Sequence, residues 1–482
     1  GFVMPYNIFS ILILNSFLIN IKSMETNLRI FTERHLLRNP SLTVLMKLSV
    51  DGYLDELRFK NTLLKLRSVH PLLYSSICMN NDGEAFYQEN TVHQLELHFI
   101  KSEHSDQWLE IAESENKKPF NCETGPLIRF FVFYTEFNFD ILVVCHHLLG
   151  DGNAIARLLR DVVFVYAGNN LPLKEQQLIS KQSDFPQKAK LSFPVKLLLR
   201  SLNSKWSKGQ QQRFGEAEYR EMFNKYHQLT DIALSYSTIN KVDMNSLYNA
   251  CKIHGITIND AIVTAFIGAM QETFINSKKL VVGIPIDMRK QLSFSADSCL
   301  GNFASAITIA YKYEPKKDFW QNAIHIKKKI KSKMDSTRAQ WLILNAYASM
   351  NPLLIDAMYF AAYGECDDKV AKKAASMFSI DNPSSTAVSN LGRLNFDTQI
   401  GSYNIRDLVF FAPKAPGSYI VLGIATLNDT MQIGLSFDRK IISPEIVNEL
   451  KSNMVALLLK PEIKVSINTN YTHLNQVDFK DV

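Results

Sequence analysis

The stretch VVCHHLLGDG, residues 143–152, holds the densest set of chemically active side chains in this sequence. Two adjacent histidines, His146 and His147, end an apolar run, and Asp151 follows four positions after the second. Because side chains alternate along an extended strand, the two imidazoles are expected to face opposite sides. Such rings do not converge on a metal ion, so no metal site is predicted. The pattern alone leaves two interpretations open, a general base held by a structured turn or two structural histidines.

Asp151 is predicted to lie at the start of a helix after the turn, where a carboxylate can cap the first N–H groups. A buried carboxylate there needs a basic partner. The best candidate in the sequence is Arg289, at the end of the apolar strand IPIDMR. Gly150 and Gly152 are expected to allow the tight backbone that brings His147 over the turn.

Composition places the chain among globular proteins. Its 482 residues are too many for one ordinary core, so two domains are expected. Hydrophobic residues make up 46% and charged residues 21% of the chain, a balance unlike that of disordered proteins. The net charge is only +6, and no block of five cations occurs. Nucleic acid is therefore not an expected partner.

The cysteines are widely spaced and form no C-x-x-C pair. They are Cys78, Cys122, Cys145, Cys251, Cys299 and Cys366. This spacing favours reduced, buried thiols and a cytoplasmic location over disulfides or a zinc site. Cys145 is a poor candidate for a nucleophile because it precedes the turn within a hydrophobic run.

From residue 24 onward, strand and helix patterns alternate as in a mixed α/β fold. The runs 127–136 and 139–147 flank a short turn and predict a hairpin, followed by a helix at 152–168. A polar, Pro-punctuated stretch around the apolar patch VKLLLRSL then predicts a long, partly mobile crossover. The predicted divisions are an N-terminal lobe at 24–180, a crossover at 181–235, a C-terminal lobe at 236–475 and a tail at 476–482.

Residues 1–23 stand outside this pattern. Their apolar run at 8–21 is shorter than the roughly 20 residues that span a bilayer, and it lacks the basic leader and cleavage site of a secretory signal. Three interpretations stay open. The segment is translated sequence ahead of a start at Met24, a membrane-associating or targeting segment, or a helix packed on the domain.

The segment HHLLGDG matches the signature H-H-x-x-x-D-G, and the chain resembles the superfamily of thioester-dependent acyltransferases. That group includes chloramphenicol acetyltransferase, the condensation domains of nonribosomal peptide synthetases, wax ester synthases and alcohol acetyltransferases. Other segments follow in the family's order: RSVHPLL (67–73), KPFNCETGPLIR (118–129), GITINDAIVTA (255–265), GIPIDMRK (283–290), GNFAS (301–305) and VSNLGRL (388–394). The resemblance covers residues 24–475, and its motifs are specific for the fold but not for the substrate.

The resemblance implies an α/β fold of two chloramphenicol-acetyltransferase-like lobes, a pseudo-dimer with a substrate tunnel between them. Donor and acceptor would meet at His147, with His146 in a supporting place and Asp151 paired with Arg289. Ser389 and Asn390 fall where relatives place polar groups near the reacting carbonyl, although an ordinary turn is the alternative there. The D-F-G-W-G motif of plant acyltransferases is missing from this sequence. This departure favours relatives of the alcohol acetyltransferase or condensation type.

The expected activity is that of a stand-alone acyltransferase, since no adenylation or carrier domain is visible in the sequence. It would move an acyl group from a thioester, with CoA as the expected handle, to a hydroxyl or amine of a small molecule. His147 would act as general base without a covalent intermediate, and no cofactor beyond the thioester co-substrate is expected. Two alternatives remain, a condensation-type enzyme whose donor is bound to a carrier protein and a catalytically silent binding protein.

Overall fold

The computed structural model describes residues 28–90, 94–274, 279–380, 385–415 and 417–460. Within these residues lie two six-stranded sheets and a small three-stranded sheet. The strands are β1 (Leu28–Ile30), β2 (Thr43–Asp51), β3 (Ser75–Met79), β4 (Ala85–Glu89), β5 (Glu96–Lys101), β6 (Ile128–Tyr134), β7 (Asn138–His146), β8 (Ile232–Ile239), β9 (Leu280–Asp287), β10 (Ala304–Tyr311), β11 (Ser385–Arg393), β12 (Gln399–Ile400), β13 (Tyr403–Phe411), β14 (Ser418–Leu427) and β15 (Thr430–Asp438).

The helices complete a mixed α/β architecture, as predicted. They are α1 (Arg34–Leu37), α2 (Glu56–Leu66), α3 (Gln107–Asn116), α4 (Gly152–Tyr166), α5 (Phe193–Ser207), α6 (Glu216–Leu229), α7 (Lys241–Ile253), α8 (Ile258–Thr273), α9 (Phe319–Met334), α10 (Thr337–Ala348), α11 (Pro352–Ala362), α12 (Lys369–Met377) and α13 (Pro444–Leu459). Short 3-10 turns follow β7 and β9.

The first six-stranded sheet, ordered β12-β13-β2-β7-β6-β5, carries the histidine motif at the end of β7. The predicted hairpin of β6 and β7 is confirmed, with Ile128 opposite Cys145. On its other side β7 pairs with β2, where Thr43 lies opposite His146. β7 is thus an inner strand, and the core residues from Ile141 to Cys145 are fully buried. A rigid, doubly flanked strand therefore positions the motif.

Two strands of this first sheet come from the far end of the chain. β13 pairs antiparallel with β2, and Leu408 lies opposite Leu48. The hairpin of β12 and β13 lies at 399–411, inside the range 236–475 predicted for the C-terminal lobe. The difference has a physical reason. The buried run Leu408–Phe411 shows that the segment is a strand covered on both faces, but a local pattern does not say which strand it will join.

The second six-stranded sheet, ordered β10-β9-β11-β14-β15-β8, is the core of the C-terminal lobe. β11 lies between β9 and β14 and is parallel to both. Helices α8, α9 and α13 cover its apolar face with buried Val, Ile, Leu and Phe side chains. Its edge strand β8 begins at Ile232, within the range 181–235 that was predicted as crossover.

The region predicted as a long, partly mobile crossover contains two helices, α5 and α6, which pack against α11 and α12. α5 begins at Phe193 with Pro194 in its first turn, a position where proline costs no hydrogen bond. The stretch from Thr337 to Met377 is divided into three helices, α10, α11 and α12. Pro352 opens the second, and Gly364, with φ of 76°, lies in the left-handed region after the second helix ends.

No single helix in the described part of the chain is long and apolar enough to cross a membrane, although α7 and α8, bent by 100°, pass the length and composition test as a pair. The apolar run at 8–21 and the predicted tail at 476–482 lie outside the described residues. All six cysteines are free; Cys78 is exposed and the other five are buried.

Candidate active site

The rings of His146 and His147 diverge at the end of β7, as the alternation of strand side chains predicts. His146 is buried, lies edge-on to Phe120 with centroids 6.1 Å apart, and its Nδ1 accepts a hydrogen bond from Leu148 N–H at 3.2 Å. His147 begins the 3-10 turn after the strand, and its ring lines a cavity between the lobes. His146 therefore packs within the first lobe, and His147 is the histidine that a substrate can reach.

The environment of His147 favours a neutral imidazole. Burial lowers the pKa of His147 below its usual 6.5, while its own backbone carbonyl and the Asp151 carboxylate oppose that shift. The Nδ1 atom is buried. Nε2 is therefore the ring nitrogen available in the cavity, and a neutral Nε2 can accept a proton.

Asp151 and Arg289 form the predicted contact between the lobes. The guanidinium Nη2 lies 3.1 Å from Oδ1 and 3.0 Å from Oδ2 of Asp151, and both side chains are buried. Asp151 also caps α4, since Oδ1 accepts from Ala154 N–H at 3.0 Å, and Oδ2 accepts from Phe303 N–H at 2.9 Å. Burial alone would raise the pKa of Asp151, but Arg289 and these N–H donors outweigh burial and lower it. The carboxylate is fully engaged and is not available for proton transfer.

The glycines of the motif allow close packing and do not adopt unusual backbone angles. Gly150 has φ of 173°, which is extended backbone that any residue adopts. A Cβ on Gly150 would lie 2.9 Å from the Cβ of Ala154, and one on Gly152 would lie 2.7 Å from Cδ2 of Leu391. Gly152 thus lets the start of α4 approach β11 of the second lobe.

A loop of the C-terminal lobe, 300–303, is hydrogen-bonded along the motif turn. Gly301 N–H donates to the Leu149 carbonyl at 2.8 Å, and Asp151 N–H donates to the Gly301 carbonyl at 3.2 Å. The Asn302 amide donates to the His147 carbonyl. The backbone of His147 is therefore fixed from both lobes. The sequence placed Asn302 inside the motif GNFAS but gave no signal for this contact.

Glu33 is a buried carboxyl group that the sequence did not single out. Its Oε1 accepts from Asn302 N–H at 3.3 Å, and Oε2 has no hydrogen-bond partner among the described residues. Burial raises the pKa of Glu33 from 4.5 to about 8, helped by the negative charge of Asp151. Glu33 is thus protonated at neutral pH, and it contacts the loop 300–303 that is hydrogen-bonded to the motif turn. It immediately precedes the four-residue helix α1, too short for a periodic pattern to mark.

The cavity measures about 1180 Å³ and draws its lining from both lobes, which is large enough for two substrates to meet. One group of lining residues comes from α1, α10 and the end of α12, and includes His35, Tyr347 and Phe378. The other comes from α4 and the segments after it and after β9, and includes Lys174 and Lys290. Both lysines are exposed and have no carboxylate partner in the described part of the chain.

His35 is a second histidine of this cavity that the sequence did not reveal. Its ring stacks on Tyr347 with centroids 4.0 Å apart and an angle of 5°, and Tyr347 stacks in turn on Phe378. Nδ1 of His35 lies 3.0 Å from the Thr32 carbonyl, which makes Nδ1 the donor and leaves Nε2 as an acceptor. Burial lowers the pKa of His35 to about 3, so this ring is neutral.

Ser389 and Asn390 lie on β11 and line the same cavity. The Asn390 amide is held by neighbours, since its Nδ2 donates to Asn259 at 3.2 Å and its Oδ1 accepts from Gly392 N–H at 2.8 Å. The Ser389 hydroxyl makes no hydrogen bond to the described residues. Of the two predicted polar groups, Ser389 is therefore the freer to meet a substrate, and the catalytic role of either stays a prediction.

The model of the condensation-domain family matches residues 41–400. This chain belongs to the condensation-domain family. Membership indicates a transferase, and the two-lobed chloramphenicol-acetyltransferase-like fold expected from the sequence is confirmed.

Among curated proteins, this condensation-family chain is similar to a plipastatin synthase subunit of Bacillus subtilis (strain 168), with 29% identity over 128 residues. That match covers 26% of this chain and 5% of the relative's length. Among solved structures it is similar to the trichothecene 15-O-acetyltransferase of Fusarium sporotrichioides, with TM-score 0.61, 12% identity and coverage of 89% and 93%. The first condensation domain of the CDA synthetase gives TM-score 0.60, 12% identity and coverage of 90% and 96%. These structural likenesses concern the fold.

Proposed function

We propose that this condensation-family protein transfers an acyl group from a thioester to a hydroxyl or amine, with His147 as the general base. The observation that carries the proposal is the position of His147. Its neutral ring lines the cavity between the lobes while Asn302, Asp151 and Arg289 hold its backbone turn in place. A fixed imidazole with a free Nε2 is suited to accept a proton at neutral pH.

The proposed reaction is a direct transfer. Nε2 of His147 accepts the proton of the acceptor hydroxyl or amine as its oxygen or nitrogen attacks the thioester carbonyl carbon. The electron pair of the carbonyl moves to oxygen, and the Ser389 hydroxyl is the candidate donor to that oxyanion. When the carbon–sulfur bond breaks, the leaving thiolate takes the proton from His147. The described cysteines in the core are poor acyl carriers, because burial raises the pKa of Cys122 to about 12 and that of Cys145 higher still.

The two groups of lining residues suggest a direction for each substrate. Lys174 and Lys290 supply free positive charge near α4, which suits the phosphate groups of CoA or of a carrier's phosphopantetheine arm. The ring of His35, stacked on Tyr347, offers a hydrogen-bond acceptor at Nε2, which suits a small acceptor with a hydroxyl or N–H group. We assign the first group to the donor and the second to the acceptor.

Two candidates exist for the handle of the thioester, that is, for the molecule whose thiol carries the acyl group. Acyl-CoA is the first, and it accords with the likeness in fold to an O-acetyltransferase. A carrier-protein thioester is the second, and it is favoured by the family model and by the sequence match to the plipastatin synthase subunit. Both handles present the same phosphopantetheine thioester to His147, so the proposed chemistry is common to them.

The test compares both donors. The protein is incubated with acetyl-CoA, with longer acyl-CoAs, or with the same acyl groups on a carrier protein, together with a panel of alcohols and amines. Free thiol and the mass of the acylated acceptor are measured. His147→Ala should lower the rate by a factor of roughly 10²–10⁴, and the matched control His254→Ala, an exposed histidine stacked on Trp320, should not. Binding of donor without transfer would instead identify a silent binding protein.

A further inference from the structure

The surface of α5 combines exposed apolar side chains with cations that form no ion pair to the described part of the chain. Phe193 is 76% exposed, Leu197 58% and Leu198 39%. Phe193 and Leu197 are four residues apart and therefore lie on one face of the helix. Leu199, Leu202 and Trp206 occupy the opposite face and are buried in the helical layer. The outward face of α5 is thus apolar in its first two turns and has no partner among the described residues.

The chain segment that carries this outward face, called the α5 ridge, has charge of one sign. Between Asp184 and Glu216 the chain has seven Lys and Arg residues and no Asp or Glu. Lys196, Arg200, Lys205 and Lys208 lie on α5 or directly after it, are exposed, and form no ion pair with the described residues. The neighbouring helix α12 adds exposed lysines, of which one pairs with Asp367. The net charge of the whole chain is only +6, so the positive excess is concentrated in this segment.

We propose that α5 docks on an anionic lipid surface, with Phe193 and Leu197 inserted and the cations of the helix facing the headgroups. A helix that lies in a membrane interface has this composition, with Lys and Arg beside Phe and Leu. Each cation near such a surface adds attraction that salt weakens. Phe193 and Leu197 are more than half exposed, so they can enter a lipid interface without a change in the fold. This inference is independent of the proposed acyl transfer.

α5 is also connected to the candidate site through α12. It packs against α12, and the residue that follows α12, Phe378, lines the cavity beside Tyr347. The docking face and the proposed acceptor side of the cavity therefore belong to one helical layer.

The test is co-sedimentation of the full chain with vesicles of phosphatidylcholine alone or with about 30% phosphatidylserine, at low and high salt. We expect binding to the anionic vesicles only, and weaker binding at high salt. The double variants Phe193→Ser/Leu197→Ser and Lys196→Glu/Arg200→Glu should each weaken binding about tenfold or more. The matched control is Val242→Ser/Ile253→Ser on α7, where the side chains are 74% and 81% exposed, and it should bind as the unchanged protein does.

Three results would overturn the proposal. The protein fails to bind anionic vesicles, it binds neutral vesicles equally well, or both α5 variants bind as tightly as the unchanged protein, which would place the contact elsewhere, for example at residues 8–21. If the chain binds an acidic carrier protein through α5 and does not bind vesicles, the ridge is a protein-docking face and the lipid proposal is wrong. Circular dichroism should show unchanged folding, because the substituted side chains are exposed.

Discussion

Removing one partner of the Asp151–Arg289 pair should be among the most destabilising changes in this protein. Asp151 accepts two hydrogen bonds from backbone N–H groups and two contacts from Arg289. Asp151→Ala removes the cap of α4, worth about 0.5–2 kcal/mol, and leaves a buried guanidinium with Asp287 alone, 3.1 Å away and 37% exposed. Loss of a buried ion-pair partner costs about 3–5 kcal/mol, so a total near the upper end of that range is expected.

Arg289→Met should cost less than Asp151→Ala. The carboxylate left behind still accepts from Ala154 and Phe303, and its pKa should rise once the guanidinium is gone, so part of the penalty is avoided by protonation. The contribution of the Asp151–Arg289 pair to stability therefore depends on pH. In the unchanged protein the pKa of Asp151 is below 3.8, so the pair stabilises the fold above that pH and loses its effect as pH falls through the lowered pKa.

The assay is a double-mutant cycle, in which the unfolding free energy of each variant is measured by urea denaturation with tryptophan fluorescence. The two single variants and Asp151→Ala/Arg289→Met should give a coupling free energy of at least about 1 kcal/mol, because the side chains are in direct contact. The exposed pair Lys331–Asp335 is the control, where Lys331→Ala should hardly change stability. Additive costs at Asp151 and Arg289 would refute the reasoning that the pair acts as a unit.

Further predictions concern single side chains of the site. If His147 is the base, kcat/KM should be constant above pH 6.5 and fall only when the pH drops below the lowered pKa of His147. A decrease in kcat/KM with its midpoint well above pH 6.5 would contradict the assignment. Glu33→Gln should become more stable than the unchanged protein as pH rises from 4.5 towards 8. Folded Glu33 keeps a proton that the unfolded chain releases, which costs the unchanged protein about 1.4 kcal/mol of unfolding free energy per pH unit. Parallel stability–pH curves for the two proteins would disprove this. His35→Phe keeps a ring against Tyr347 and removes Nε2, so KM for the acceptor should rise about two- to tenfold while KM for the donor stays constant; equal changes in both, or none, would remove His35 from the acceptor side.

His146, His147 and Asp151 could be predicted together because they lie in one short stretch of the sequence, 143–152. Strand alternation was enough to separate His146 from His147, and the chemistry of a buried carboxylate was enough to search for Arg289. Glu33, His35 and Asn302 could not be found in this way. They reach the motif from a four-residue helix and from a loop of the other lobe, and their roles depend on tertiary contacts that no local pattern encodes.

The fold shows the same limit. The sequence predicted the hairpin of β6 and β7, since two β-branched and aromatic runs flank a short turn. It did not predict α5, because lysines and serines on its outward face and Pro194 at its start resemble a loop. Nor did it predict that β13 joins the first sheet, because the partner of a buried strand is selected by the assembled fold.

The position of β13 also bears on how the chain folds as the ribosome makes it. Asn404 of β13 contacts Asp51 of β2, 353 positions earlier, and β2 is the neighbour of the strand that carries His147. Until synthesis passes β13, β2 has an unpaired edge of the kind that invites wrong pairing between nascent chains. The histidine motif therefore emerges early but gains its complete sheet only near the end of translation. Chaperone dependence should accordingly be greatest for nascent chains that stop between β7 and β13.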